Sequence, residues 1–299
     1  MHTAANMLSI NECSNQPFLV RRDPWIYRWM DETRSHIDEH LNQLLRTTTP
    51  SSVAEAMHYS VLAPGKRVRP LLMLSIANFL GVSPPGLMKA ACVIEMVHSA
   101  SLVLDDLPCM DNDRERRNRL ATHAKFGEDL SILAAVSLLM KSHCLLATDD
   151  SIEAHLRLKL IQLFCDTIGS SGLSLGQYID LHATQRVSGA FSVEDVHHLK
   201  TGILFVAAAK AACLLCNATP AQEASIIQFT TNLGLAFQAR DDLSDRDDGQ
   251  SNLVTEIGFA SARRRYHDYI DAAHGAIDGE PNAAALQDFA AAMLHSQPA

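Results

Sequence analysis

Apolar residues recur at helical spacing along most of this chain, and runs of alternating β-branched residues that would mark strands are almost absent. The pattern predicts helices over about 25–46, 51–62, 70–80, 85–107, 128–147, 151–171, 173–183, 193–216, 220–246 and 259–275. Their connections are short turn signals such as GVSPPG (81–86) and HATQRVSGAFS (182–192). No segment has the composition of a flexible linker, and no internal repeat is evident. One all-α domain over 25–299, behind a loose N-terminal tail at 1–24, is the economical reading.

Two of these helices are apolar nearly all round: LMKAACVIEMVHSASLVLDD (87–106) and ASIIQFTTNLGLAFQARDDLSD (224–245). Helices of that kind sit at the centre of a bundle. Each nevertheless carries aspartates at its C-terminal end, where the helix dipole favours cations. In the second, Gln238, Asp241, Asp242 and Asp245 fall at i, i+3, i+4 and i+7, on one face. In the first, His98, Ser101 and Asp105 share a face, whereas Asp111 is six residues beyond Asp105 and would swing away on a continuous helix. Pro108 predicts an end or bulge at Leu107–Met110, which returns Asp111 to the place that i+4 would occupy. Two such faces without a resident cation fit Mg²⁺, which takes one or two protein carboxylates and fills its remaining positions with water and phosphate oxygens. Solvated helix ends with decorative acids are the alternative.

The 299 residues are 47% hydrophobic and carry a formal net charge of −9, which excludes non-specific nucleic-acid binding and confines any anion site to local basic clusters. Three such clusters are present. APGKRVRP (63–70) places Lys66, Arg67 and Arg69 around the start of a helix, where an anion is welcome. Arg116 and Arg117 follow Asp111, and HHLKTGILF (197–205) sets Lys200 and Thr201 in an apolar segment. The seven cysteines are an odd count, most of them in apolar segments, and Cys213 and Cys216 read as core thiols without a second ligand pair. The N-terminus is not a signal peptide, and no stretch reaches the ~18 uninterrupted apolar residues of a membrane span. A cytoplasmic protein is expected: a helical barrel with two acidic faces and basic clusters at one mouth, above an apolar interior. Its ligand would carry a diphosphate head and a hydrocarbon tail.

At this point the motifs GKRVRP, DDLPCMDND followed by an arginine pair, GQYIDL (176–181), LKTGILF and FQARDDLSD occur in a recognisable order. Together they resemble the trans-isoprenyl diphosphate synthases, most nearly the bacterial geranylgeranyl diphosphate synthases, over roughly 30–275. The resemblance implies a helical barrel of the isoprenoid synthase type, acting as a homodimer on isopentenyl diphosphate and allylic diphosphates. It implies that Asp105, Asp111 and Asp241 ligate three Mg²⁺ ions, supported by Asp106, Asp242 and Asp245, while Arg116 and Lys200 contact the allylic diphosphate. Gly65, Lys66, Arg69, His98 and Arg117 would hold isopentenyl diphosphate, and Thr201 and Gln238 would face the reacting carbons. Ala100 and Ser101, just upstream of the first aspartate, would set chain length; their small size and the two-residue insertion at Pro108 and Cys109 imply a twenty-carbon product.

Two features depart from the family pattern. Asn118 stands where glycine usually follows the arginine pair, and the segment DDLSDRDDGQSNLV (241–254) is shorter than usual and holds no lysine, leaving Arg240 and Arg246 as substitutes. Competing readings are a shorter-chain farnesyl synthase, a non-catalytic subunit that modulates an active synthase, and a class I terpene cyclase. GKRVRP argues against the cyclase, which has no isopentenyl diphosphate to bind.

Overall fold

The computed structural model describes residues 24–182, 192–244 and 252–295. The first half runs α1 (Pro24–Leu44), α2 (Ser52–Val61), α3 (Val68–Phe79), α4 (Leu87–Asp105), α5 (Thr122–Phe126), α6 (Glu128–Ala147) and α7 (Ala154–Ile168). The second runs α8 (Leu173–Leu181), α9 (Val193–His197), a π-helical turn (His198–Gly202), α10 (Ile203–Leu215), α11 (Pro220–Ser244), α12 (Leu253–Ile257), α13 (Phe259–Ala276) and α14 (Ala283–His295). The all-α expectation holds, with one small exception: β1 (Glu115–Arg116) and β2 (Arg119–Leu120) form an antiparallel pair in which Arg116 faces Arg119.

The two helices that are apolar all round are central, as their composition requires. α4 packs on α6, α3, α10 and α1, and α11 packs on α13, α10 and α14. One hydrophobic cluster extends from Ile26 of α1 to Leu294 of α14. Short helices exist where caps define them: Ser192 and Asp195 form a capping box on α9, and Asn252 with Thr255 forms one on α12. α3 begins at Val68 rather than Pro70, which occupies the first turn, where a missing N–H costs no helical bond.

Three expectations about organisation need correction. The run read as one helix over 193–216 is interrupted by the π-turn, a distortion that often marks a functional site. α5, α12 and α14 lie outside every helix the periodicity predicted. Three helical runs, α4, α6 and the stretch Glu194–Leu215, are also long and apolar enough to cross a membrane by length and composition. Most of α4's apolar window (67%) is buried against other helices, so the protein interior accounts for it; only 33% of the α6 window is.

The six described cysteines are free, and burial pushes the Cys213 and Cys216 thiols up to about 12 and about 11, as for inert core thiols. The tail before Pro24, Cys13 within it, and the loop residues Asp245, Arg246 and Gln250 lie outside the described residues.

Candidate functional site

α4 ends at Asp105, and the chain then doubles back through Pro108. The Asp111 amide donates to the Asp105 carbonyl at 2.9 Å, and the Asn112 amide to that of Leu107 at 3.1 Å. Asp111 thus returns beside Asp105, as Pro108 predicted. Burial, reinforced by the charges of Asp111 and Asp106 and opposed by Lys200, pushes the Asp105 carboxyl up to about 6. A carboxylate so placed gains from any cation that reaches it.

Asp106 turns the other way. It is 3% exposed and accepts hydrogen bonds from Arg116, whose guanidinium also reaches Asp113 at 2.8 Å. Its geometry is that of an anchor for Arg116 rather than a ligand facing the mouth. Arg117 and Asn118 form the two-residue loop between β1 and β2, with φ of 55° and 59°. Two successive left-handed residues make the turn that matches strand twist, and asparagine is the side chain that tolerates this after glycine. Asn118 therefore does glycine's work, and the turn aims Arg117 inward. There Arg117 packs so tightly on Gly65 that a Cβ at 65 would lie 2.9 Å from its Cζ.

The three cations around GKRVRP separate in the fold. Arg67, with φ 50°, is 3% exposed and pairs with Asp38 (2.7 Å), Glu95 (2.9 Å) and the Ala63 carbonyl. Burial opposes its charge, but Glu95 and Asp38 outweigh that and raise its pKa, so Arg67 is a structural pivot and not an anion ligand. Arg69 faces the opposite way, over the Phe205 ring at 5.1 Å, and its buried Nε has no hydrogen-bond partner among the described residues. Desolvation brings Arg69 down to about 10, with Glu95 opposing and Arg117 adding to the shift. His98 is held well below its ordinary value by burial and then by Arg69, Arg117, Arg67 and Arg116, so its imidazole is neutral and can donate from one nitrogen. Lys66 is lowered by burial and by Arg240, with Asp241 opposing, which places it between the basic cluster and α11. Lys66, Arg69, Arg117 and His98 thus form a desolvated basic corner, and the unpartnered Arg69 Nε within it suits an anion.

The π-turn carries Lys200 and Thr201 to the first acidic motif. Lys200 Nζ lies 2.5 Å from Asp180 and 3.5 Å from Asp111. Gln177, one turn before Asp180 on α8, donates to Asp111 at 3.2 Å. Gly176 allows this approach, because a Cβ there would fall 2.8 Å from the Leu199 carbonyl carbon. Gln177 and Asp180 received no role from sequence alone, although their i, i+3 spacing in GQYIDL puts them on one face.

In α11, Asp241 accepts from Arg240 Nε (3.1 Å) and Nη2 (2.6 Å), and the same guanidinium donates to the Met293 and Leu294 carbonyls at the end of α14. Arg240 is therefore held between Asp241 and the end of α14. Asp242 is 6% exposed; its Oδ2 accepts the Leu253 amide at 2.8 Å and lies 3.6 Å from His197. Like Asp106, it braces the site from behind, tying α11 to α9 and α12, and Gln238 lies 3.5 Å from its Oδ1. No three His, Cys, Asp or Glu side chains among the described residues form a ready-made metal cage. The carboxylates are instead distributed among Arg116, Lys200 and Arg240.

Below Asp105 opens an apolar cavity of about 350 Å³. Val97, Ser101 and Leu104 line it from α4, Leu139 from α6, Ile168 from α7 and Tyr178 from α8. Ser101 faces it as expected; Ala100 does not line it, being fully buried in the core.

Residues 50–256 match the family model described as polyprenyl synthetase. The chain is 38% identical over 260 residues to the geranylgeranyl diphosphate synthase of Pseudescherichia vulneris, covering 83% of this chain and 85% of that one. It is 34% identical over 236 residues to the farnesyl diphosphate synthase of Geobacillus stearothermophilus, covering 78% and 80%. Its fold is similar to that of an FPP/GFPP synthase from Zymomonas mobilis, with a TM-score of 0.82 at 28% identity over 89% of this chain and 97% of that one.

Proposed function

The chain belongs to the polyprenyl synthetase family and is a trans-prenyl diphosphate synthase acting on isopentenyl and allylic diphosphates, and from that premise we propose that its main product is geranylgeranyl diphosphate. The observation that carries the chain length is the cavity under Asp105. Ser101 lies one helical turn below Asp105 and Val97 two turns below, so the wall stays narrow-sided for about 12 Å of depth. On α4 no aromatic side chain stands at the first turn to stop a fifteen-carbon tail; the Tyr178 ring in the wall comes from α8. Relatives that make farnesyl diphosphate match almost as well, so the assignment rests on this wall.

In this reading, Lys66, Arg69, Arg117 and neutral His98 bind the isopentenyl diphosphate head, with Gly65 offering backbone and Arg69 resting on Phe205. Arg116 and Lys200 turn from their carboxylate partners to the allylic diphosphate. Asp105, Asp111 and Asp241 supply hard oxygen donors, and burial, which raises the Asp105 pKa, leaves its ionised form to gain from a cation; the set fits Mg²⁺. When bound, that ion would neutralise charge on the departing diphosphate. The cavity keeps water from the allylic cation, while Thr201 and Gln238 present oxygens to the positive carbon. The double bond of isopentenyl diphosphate attacks, and the proton then lost goes to the released diphosphate, so no protein base is required.

The exposed stripe Ile132, Leu133, Val136 and Met140 on α6, continued by Leu158 on α7, fits a second copy of the chain. A homodimer through this face is part of the proposal, as is a cytoplasmic location, which suits the free thiols. Sedimentation of the wild type beside Val136→Asp/Met140→Asp tests the dimer, and flotation with liposomes tests the competing membrane contact.

The decisive assay incubates the purified chain alone with Mg²⁺, isopentenyl diphosphate and each allylic diphosphate, with product analysis. Twenty-carbon product confirms the reading, and fifteen-carbon product overturns the chain length. A chain inert alone that alters the product of an added synthase is a modulatory subunit, the reading favoured by the short segment after Ser244.

A further inference from the structure

The β1–β2 hairpin carries Arg116 and Arg117, yet it is the least self-sufficient element of the site. It has two residues in each strand, and its loop residues Arg117 and Asn118 both sit at positive φ. A two-stranded ribbon of this size is not stable by itself, and an arginine in the left-handed region is strained. Something outside the hairpin must fix it.

Two anchors do so. One is the ion pair of Arg116 with Asp106. The other is Tyr59 on α2, a residue given no role above. Its hydroxyl donates to the Leu120 carbonyl of β2 at 2.8 Å. Its ring receives the Arg119 guanidinium at 4.1 Å and the Lys125 ammonium at 3.8 Å, and meets the Phe126 ring edge-on at 5.3 Å. Tyr59 also lines a cleft of about 30 Å³ together with Ser60 of α2 and Arg116, Arg117 and Leu120 of the hairpin, so it stands where the two elements meet.

The anchors differ in what an incoming diphosphate does to them. Arg116 cannot give its full fork to Asp106 and to a diphosphate at once, so ligand binding weakens the first. The Tyr59 anchor uses a backbone carbonyl and the face of a ring, neither of which an anion competes for. We propose that Tyr59 is a positioning residue that holds the β1–β2 hairpin on α2 while Arg116 and Arg117 engage diphosphates. This rests on the functional reading above for the identity of the ligand, and the experiment separates the two.

The test compares wild type with Tyr59→Leu, which removes hydroxyl and ring, Tyr59→Phe, which removes the hydroxyl alone, and Arg119→Gln, which removes a ring partner. Amide exchange over 114–121 is measured without substrate, and KM for each diphosphate is measured beside kcat and thermal stability. The expected result is faster exchange over 114–121 in Tyr59→Leu, with KM for both diphosphates raised about tenfold, as for loss of one charge-assisted contact, and kcat changed far less. Tyr59→Phe should fall between Tyr59→Leu and wild type. Wild-type exchange and KM values in a folded Tyr59→Leu would overturn the proposal. If Tyr59→Leu fails to fold, unchanged exchange and KM in both Tyr59→Phe and Arg119→Gln would do so. A wild type inert toward both diphosphates sinks the functional reading, while the exchange over 114–121 still decides the role of Tyr59.

Discussion

Arg117 lies directly on the backbone of Gly65, with its Cζ 2.9 Å from where a Cβ would stand. Arg117 is desolvated there beside Arg67 and Arg116, with Glu95 opposing, and its pKa is lowered. A side chain at position 65 would meet the movable end of Arg117 and not backbone, so its cost falls on the placement of the guanidinium rather than on folding. Gly65→Ala should displace the guanidinium and raise KM for isopentenyl diphosphate about tenfold, the scale of one charge-assisted contact. KM for the allylic substrate and the melting temperature should change little. Separate substrate titrations check this.

Asp105 predicts a trade between stability and activity. Its folded pKa, about 6, lies above the ordinary 3.8, so the folded state binds this proton more tightly than the unfolded chain. The resulting stability is fully present below pH 3.8 and is lost as pH rises through about 6. At neutral pH the ionised carboxylate therefore costs the metal-free protein on the order of 3 kcal/mol. Asp105→Asn should raise the urea midpoint at pH 7.5 and leave it nearly unchanged at pH 4, while reducing turnover by orders of magnitude. The wild type should lose kcat/KM on its acid side near pH 6.

Arg240 joins Asp241 to the last turn of α14. Arg240→Ala leaves two carbonyls and a carboxylate without these donors, which should cost about 2–4 kcal/mol. Arg240→Lys keeps the charge but lacks the fork, so it should recover only part of the loss. Urea unfolding measures the stability term, and the Mg²⁺ dependence of turnover should weaken in parallel.

Product length should respond to Ser101 rather than Ala100. Ser101→Phe places a ring in the cavity one turn below Asp105 and should shift the product to fifteen carbons. Ala100→Phe meets a closed core and should overpack it, costing about 1–3 kcal/mol before it changes any product. Product chromatography and thermal denaturation of the two variants distinguish these outcomes.

The sequence by itself determined what depends on neighbours along the chain. Helical periodicity located the long helices, the i, i+3, i+4 spacing put Asp241 and Asp242 on α11 beside Gln238, and Pro108 announced the return of Asp111 to Asp105. These are consequences of backbone sterics and helix geometry, which act over a few residues. Local signals were too weak for α14, an alanine-rich segment with little contrast between faces, and for α5 and α12, which are short helices. They also missed the hairpin at Arg117–Asn118, which lacks a glycine. Only the tertiary structure decided which of several similar charges faces the ligand. Arg67 and Arg69 are two residues apart, yet Glu95 and Asp38 claim the first while the second stays unpaired at Nε. Asp105 and Asp106 are adjacent, yet one faces the cavity and the other holds Arg116. The physical reason is that a buried charge takes its role from the counter-charges and dielectric around it, and those come from parts of the chain that only folding brings together.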